Sequence, residues 1–196
     1  MVSFDDKAEV VRGVSWAAFE RRLQQKGDHV VPRLHYLDGV LEAVTPSRGH
    51  ETAGSWIGRL IEVYALEAGV ELSAVGSWTL KDELKRAGAE PDECYIVGPD
   101  PESKLERPHF AIEVQWSRHG VDKLEIYKRL DVREVWFWDR GSIVVYVRHG
   151  DAFRHARRSS FLPELDLELL CTFLDRDTMT AAMREFRAAL QRRRRR

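Results

Sequence analysis

Long apolar runs are missing from this chain. No stretch approaches the roughly 20 consecutive apolar residues of a spanning helix, and the start, Met1-Val2-Ser3-Phe4-Asp5-Asp6, lacks a basic-then-apolar leader pattern. A cytoplasmic protein with no membrane partner is the expectation. Cysteine is scarce: Cys94 and Cys171 stand far apart and belong to no closely spaced Cys/His set, which argues against a zinc site of that type. Both read as small buried hydrophobes. Net charge is low as well, at −1, but Arg192–Arg196 carry five positive charges and leave the remainder at −6. A mildly acidic body counts against tight non-specific DNA affinity unless positive charge is concentrated locally. The arginine tail has two readings, a disordered solvated terminus or a binder of phosphates.

What is present describes a globular α/β protein. Hydrophobic residues make up 43% of the 196 positions and aromatics 10%, enough for a core, while charged residues at 32% can cover the outside. The expected organisation is one domain over residues 1–191, its core at about 14–175, followed by the basic tail 192–196. Ser15 followed by Trp16, Phe19 and Leu23 at helical spacing predicts a capped helix ending at Gly27. Leu34 and Tyr36, then Asp38-Gly39, then Leu41 and Ala43 predict a hairpin closed by Pro46. The longest helix is predicted between His50 and Glu67 on Ala53, Trp56, Ile57, Leu60, Ile61 and Tyr64, with Gly69 as its stop.

Val70 to Leu80 offers one or two strands, and Lys81 to Gly88, which has no periodicity, predicts a loop. Strands follow at Cys94–Val97 and Phe110–Val114, then a helix over about Val121–Leu130. Strands at Val135–Trp138 and Ile143–Val147, a last strand near Phe153 and a helix from Asp177 to about Gln191 complete the order. That order predicts an α/β or α+β domain around a mixed sheet. The apolar segments at 135–147 suit either a dimer edge or the core, so a homodimer stays open. Trp116, Trp136 and Trp138 lie in or beside apolar strand runs and read as packing rather than base stacking.

The chemistry concentrates on the two middle strands. Alternation sends Phe110, Ile112 and Val114 to one face and Ala111, Glu113 and Gln115 to the other, so Glu113 sits on an otherwise apolar strand. A buried carboxylate needs an ion-pair partner or a cation. Asp92 begins the preceding strand and is the natural companion, although after Pro91 it also suits a simple turn. Two carboxylates with water and phosphate oxygens make a hard-oxygen site of the kind Mg²⁺ or Mn²⁺ prefers. Lys123, in the first turn of the next helix, is placed to steady charge on a phosphate, or is a solvated helix residue. Gln115 is a candidate for a neutral ligand or a hydrogen bond to water. Glu90, two residues before Asp92, is a second acidic neighbour. His50 and Glu51 open the long helix, where Glu51 also suits the helix N-terminus and His50 a surface position.

These segments resemble a known family. Tyr36-Leu37-Asp38-Gly39, Pro46-Ser47 with His50-Glu51, Gly76-Ser77 with Thr79-Leu80, Gly88-Ala89-Glu90-Pro91-Asp92-Glu93, Ile112-Glu113-Val114, Asp122-Lys123-Leu124-Glu125 with Tyr127, and Glu134-Val135-Trp136-Phe137-Trp138 resemble the Uma family of "putative restriction endonucleases". The resemblance covers about residues 14–175. It implies the restriction-endonuclease-like fold of the PD-(D/E)XK nucleases, a central mixed sheet flanked by helices, and a Mg²⁺-dependent site acting on DNA to leave 5′-phosphate ends. By the same resemblance Asp92 and Glu113 are the first and second acids and Glu51 the acid of the first core helix. Two residues after Glu113 stands Gln115 in place of the usual lysine, so that role falls to Lys123.

The leading expectation is a Mg²⁺- or Mn²⁺-dependent endodeoxyribonuclease with Asp92, Glu113 and Glu51 at the metal, Lys123 and Gln115 assisting, and Glu90 and His50 in support. Two rivals stand beside it: a non-catalytic module of the same fold that binds nucleic acid or a protein, and a hydrolase of smaller phosphoesters.

Overall fold

The computed structural model describes residues 6–99, 105–114 and 120–194. Two sheets organise them. The first is wholly antiparallel and contains β1 (Lys7–Arg12), β2 (Arg33–Leu37), β3 (Val40–Thr45), β5 (Leu80–Asp82) and β6 (Ala87–Ala89), in the order β1-β3-β2-β6-β5. The second holds β4 (Leu72–Ala74), β7 (Glu93–Val97), β8 (Phe110–Val114), β9 (Glu134–Asp139), β10 (Ser142–His149) and β11 (Ala152–Ala156), in the order β11-β10-β9-β8-β7-β4. It is mixed: β8 and β9 run parallel, joined through helix α3 (Lys123–Arg129), and the other pairs are antiparallel. A parallel pair needs such a crossover, and this one delivers the start of α3 next to the end of β8.

Local chemistry explains most boundaries. Ser15 caps α1 (Trp16–Lys26) by accepting from the Ala18 amide, and Gly27 ends it. Phe19 and Trp16 pack on Tyr36 of β2, with centroids 4.8 and 5.5 Å apart. The β2–β3 turn places Asp38 and Gly39 at φ 45° and 88°, the left-handed pair a two-residue hairpin demands. Ser47 caps α2 (Arg48–Ala68) and a left-handed Gly69 closes it. The apolar stripe of α2 meets Phe110, Ile112 and Val114 of β8, together with Phe186 and Ala182 of the C-terminal helix α5 (Met179–Arg194). On the opposite face of the sheet Ala111 and Cys94 pack with Ile126, Tyr127 and Leu130 from α3 and its end. Both faces of β8 are therefore covered, as its near-continuous apolar sequence demands.

Several expectations are corrected. Lys81 to Gly88 is not a loop but the hairpin β5–β6, with Leu80 opposite Ala89 and Asp82 opposite Ala87; strands of three residues are too short to show a period. Neither β1 nor the short helix α4 (Leu167–Cys171), capped by Asp166, was anticipated. Helix α5 runs on to Arg194, past the expected end at Gln191. Residues 135–147 supply no sheet edge: β9 lies between β8 and β10, and β10 between β9 and β11. Trp136 is core, stacked on Phe110 at 4.8 Å. Both cysteines are free, Cys94 buried and Cys171 half-buried, and burial pushes their thiols up to about 12 and about 11. Among the described residues no helix is long and apolar enough to cross a membrane.

Candidate active site

The site grows from the antiparallel pair β7–β8. Its register sets Glu93 opposite Ile112 and Cys94 opposite Ala111, and Asp92 stands immediately before β7, at the end of the pair where Glu113 lies on β8. The Val114 amide donates to Asp92 Oδ2 at 2.7 Å, which fixes that carboxylate against the end of β8. Asp92 is 7% exposed and Glu113 1%, so each depends on its partners.

Those partners arrive from three directions. Lys123, at the start of α3, lies with Nζ 2.5 Å from Glu113 Oε2. Tyr127, one turn later, donates its hydroxyl to Glu113 Oε1, and His35 Nε2 lies 3.2 Å from the same oxygen. Because an ionised carboxylate only accepts, His35 donates through Nε2. Asp92 meets Arg33 Nη1 at 3.0 Å through Oδ1 and His50 Nε2 at 2.9 Å through Oδ2. The His50 contact is a close pairing of charges rather than a well-directed hydrogen bond. Arg33 also binds Glu51 through two hydrogen bonds of 2.7 and 3.3 Å, so Glu51 is joined to Asp92 through a shared guanidinium. On its far side His50 binds Asp6 through Nδ1 at 2.7 Å, and Asp6 also accepts from the Ser47 amide.

The electrostatics follow from this arrangement. Burial by itself raises the Glu113 carboxyl, but the charges of Lys123 and His35 outweigh it and hold Glu113 well below the ordinary carboxylate range. Burial disfavours the Lys123 ammonium, yet Glu113 and Asp92 prevail and its pKa is raised. Burial and then Glu113 drive the Tyr127 hydroxyl well above 10, so it remains a donor. His50 is raised to about 9, Asp6 and Asp92 overcoming the penalty of burial. Near neutral pH the site therefore contains an ionised Glu113, a protonated Lys123 and a protonated His50.

The anticipated residues are not all brought together. Asp92, Glu113 and Lys123 converge, and Glu51 and His50 join them around Asp92. His50 is no surface residue; at 4% exposed it lies between two carboxylates. Glu90 faces elsewhere: it accepts from Lys26 at 2.6 Å, Thr79 at 2.9 Å and the Leu34 amide at 2.9 Å, tying α1 to β2. Gln115 and Trp116 lie outside the described residues. Sequence reasoning missed Arg33, His35, Glu42 and Tyr127. Arg33 and His35 alternate with Leu34 and Tyr36, the pattern of a strand with one wet face, yet both are buried. Glu42, opposite His35 in the hairpin, is a further buried acid whose charge reaches Lys123. Polar residues on both strands of one hairpin were the available signal.

Among the described residues no three His, Cys, Asp or Glu side chains are gathered to hold a metal ion. What the site offers is two hard-oxygen carboxylates, Asp92 just before β7 and Glu113 on β8, both within reach of the charges of Arg33 and Lys123. That donor set fits Mg²⁺, which keeps several waters and takes one or two carboxylates together with substrate oxygens. It does not fit an all-protein cage.

A mixed sheet flanked by helices, with Asp92, Glu113 and Lys123 brought together where β7, β8 and α3 meet, is the architecture of the restriction-endonuclease-like fold. A family model described as "Putative restriction endonuclease", Uma2, matches residues 16–181, and the chain belongs to that family. In structure it is similar to a protein from Anabaena variabilis described as a putative nuclease belonging to DUF820, with a TM-score of 0.51 and 16% sequence identity over 79% of this chain and 92% of that one. At that identity the likeness bears on the fold alone. Among curated proteins none matches the chain in sequence.

Proposed function

We propose that the protein is a Mg²⁺- or Mn²⁺-dependent endodeoxyribonuclease. The observation that carries this reading is that Asp92, fixed by the Val114 amide beside Glu113, and Glu113 itself share one pocket of charge with the Lys123 ammonium 2.5 Å from Glu113. Asp92 Oδ1 and Glu113 Oε2 are the oxygens for the cation, since Oδ2 and Oε1 are each engaged by two protein groups. A bound divalent ion would supply Lewis-acid polarisation of the scissile phosphate and a more acidic water. Lys123, held protonated by two carboxylates, serves as a fixed positive charge beside the phosphate rather than as a proton acceptor. Arg33 has a second partner in Glu51 and can release Asp92 without being left unpaired. Glu51, the more exposed acid, is the residue through which a second cation or a water ligand would be held.

The reading predicts cleavage of duplex DNA in Mg²⁺ or Mn²⁺, its loss in chelator, and 5′-phosphate ends. A folded protein that cuts no DNA under these conditions, while Asp92→Ala and wild type bind DNA alike, would instead favour the non-catalytic module. One observation speaks for that second reading: Arg33, His50 and Lys123 already neutralise both acids.

A further inference from the structure

The two acids are held in the same asymmetric way. Each presents one oxygen to two protein groups and the other to a single long cationic side chain. For Glu113 the doubly engaged oxygen is Oε1, which accepts from the Tyr127 hydroxyl and from His35 Nε2, and Oε2 faces Lys123. The terminal torsion of a glutamate is broad and roughly two-fold, so its own covalent geometry does not decide which oxygen it presents. Lys123 cannot decide it either, because its ammonium sits on a flexible stem and attracts whichever oxygen is near. Tyr127 can. Its ring is fully buried, packed with Ala111, Cys94 and Leu130, and it reaches Glu113 from one helical turn beyond Lys123.

We infer that Tyr127, with His35, is a positioning residue that anchors Glu113 Oε1 and so presents Oε2 to a divalent cation. The inference rests on the metal-dependent reading above. Tyr127→Phe removes the anchor and keeps the ring. The hydroxyl touches neither phosphate nor cation in this arrangement; it acts through Glu113 alone.

The experiment is a titration of Mn²⁺ into the full chain, wild type and Tyr127→Phe, followed by kcat and KM on a DNA duplex. The expected result is an Mn²⁺ Kd raised about 10- to 100-fold in the variant, the range seen when the partner that orients a metal ligand is lost. With it goes a fall in kcat at unchanged KM for DNA, in a protein that still melts cooperatively. A purely packing role would leave the Kd of the folded protein where it was. An Mn²⁺ Kd within twofold of wild type, with kcat unchanged, overturns the inference and leaves the nuclease reading standing. If Tyr127→Phe does not fold, His35→Leu against His35→Gln replaces it: weaker Mn²⁺ binding in the leucine variant with recovery in glutamine, which keeps an N–H donor, supports the anchor, and equal binding in both overturns it. A wild type that binds no Mn²⁺ removes the metal-dependent reading itself and this inference with it, a failure visible before any substitution is made.

Discussion

Glu113 on β8 and Glu134 on β9 lie on neighbouring strands of one sheet, three positions apart in register, 1% and 0% exposed, and each stands in an apolar strand. Their surroundings differ in kind. Glu134 accepts from the Trp136 indole at 2.5 Å, from the Ser160 amide at 2.7 Å and from the Ser160 hydroxyl at 2.5 Å. All are neutral and short-tethered, and they tie the segment after β11 to the sheet. Glu113 is met by a lysine on a long stem, a histidine and a tyrosine, with a second acid, Asp92, held nearby by the Val114 amide. Burial of a carboxylate thus says only that it has partners; whether a substrate or cation can replace a partner decides between a strut and a site. Fixed neutral donors resist exchange, whereas a single ammonium can be displaced or shared.

The sharpest way to break this contrast is to remove each acid in turn. Glu113→Ala should lower DNA cleavage by roughly 10³-fold, several kcal/mol of transition-state stabilisation at about 1.4 kcal/mol per tenfold. Glu134→Ala should leave Mn²⁺ affinity intact and cost about 3 kcal/mol of stability through orphaned buried donors. Activity lost in both, with Glu134→Ala still folded at the assay temperature, would erase the distinction. Next in size, Lys123→Ala leaves Glu113 buried without its main counter-charge, so urea melts should show a loss of about 3–5 kcal/mol, along with a 10²- to 10³-fold drop in kcat.

The pH dependence of stability tests the Asp92 side. His50 is raised from 6.5 to about 9, so its contribution is complete below pH 6.5 and is lost as pH climbs through about 9. Up to about 3 kcal/mol is at stake. Denaturant melts between pH 6 and 9.5 should show that fall in the wild type and a flatter profile in His50→Gln. The smallest effect concerns Glu93, which faces α2 on the other side of the sheet. Burial and then Glu62 raise it from 4.5 to about 7, so its contribution is present below pH 4.5 and is lost as pH rises through about 7. Glu93→Gln should therefore gain about 1–2 kcal/mol at pH 8 once solvent screening is discounted, with Mn²⁺ affinity unchanged. Lost Mn²⁺ affinity would show that both faces of β7 serve the site.

The elements that local chemistry dictates were legible: the Ser15 and Gly27 ends of α1, the Asp38-Gly39 hairpin, the long stripe of α2, the strand that follows Asp92 and the strand that carries Glu113. The alternation on β8 was legible too, since Phe110, Ile112 and Val114 do face α2 while Glu113 faces α3. The β5–β6 hairpin was not, because three-residue strands hold too few side chains to show a period. Nor was the second half of the site. Arg33 and His35 look like the wet face of a strand until the other sheet and α3 close over it.

Sequence alone determined which residues had to seek partners, because an acid among Ala111, Ile112 and Val114 cannot stay buried uncompensated. It determined, by alternation and helix capping, that Glu113 and Lys123 would leave their elements in usable directions. Only the tertiary structure decided who answers those charges: Lys123, Tyr127 and His35 for Glu113, and Arg33 and His50 for Asp92, with Glu90 drawn away to Lys26. The reason is physical. Period and propensity act over a few residues, whereas an ion pair in a core joins whatever the packing of β2, α2 and α3 against β8 brings within about 3 Å, and none of those separations is written in the local sequence.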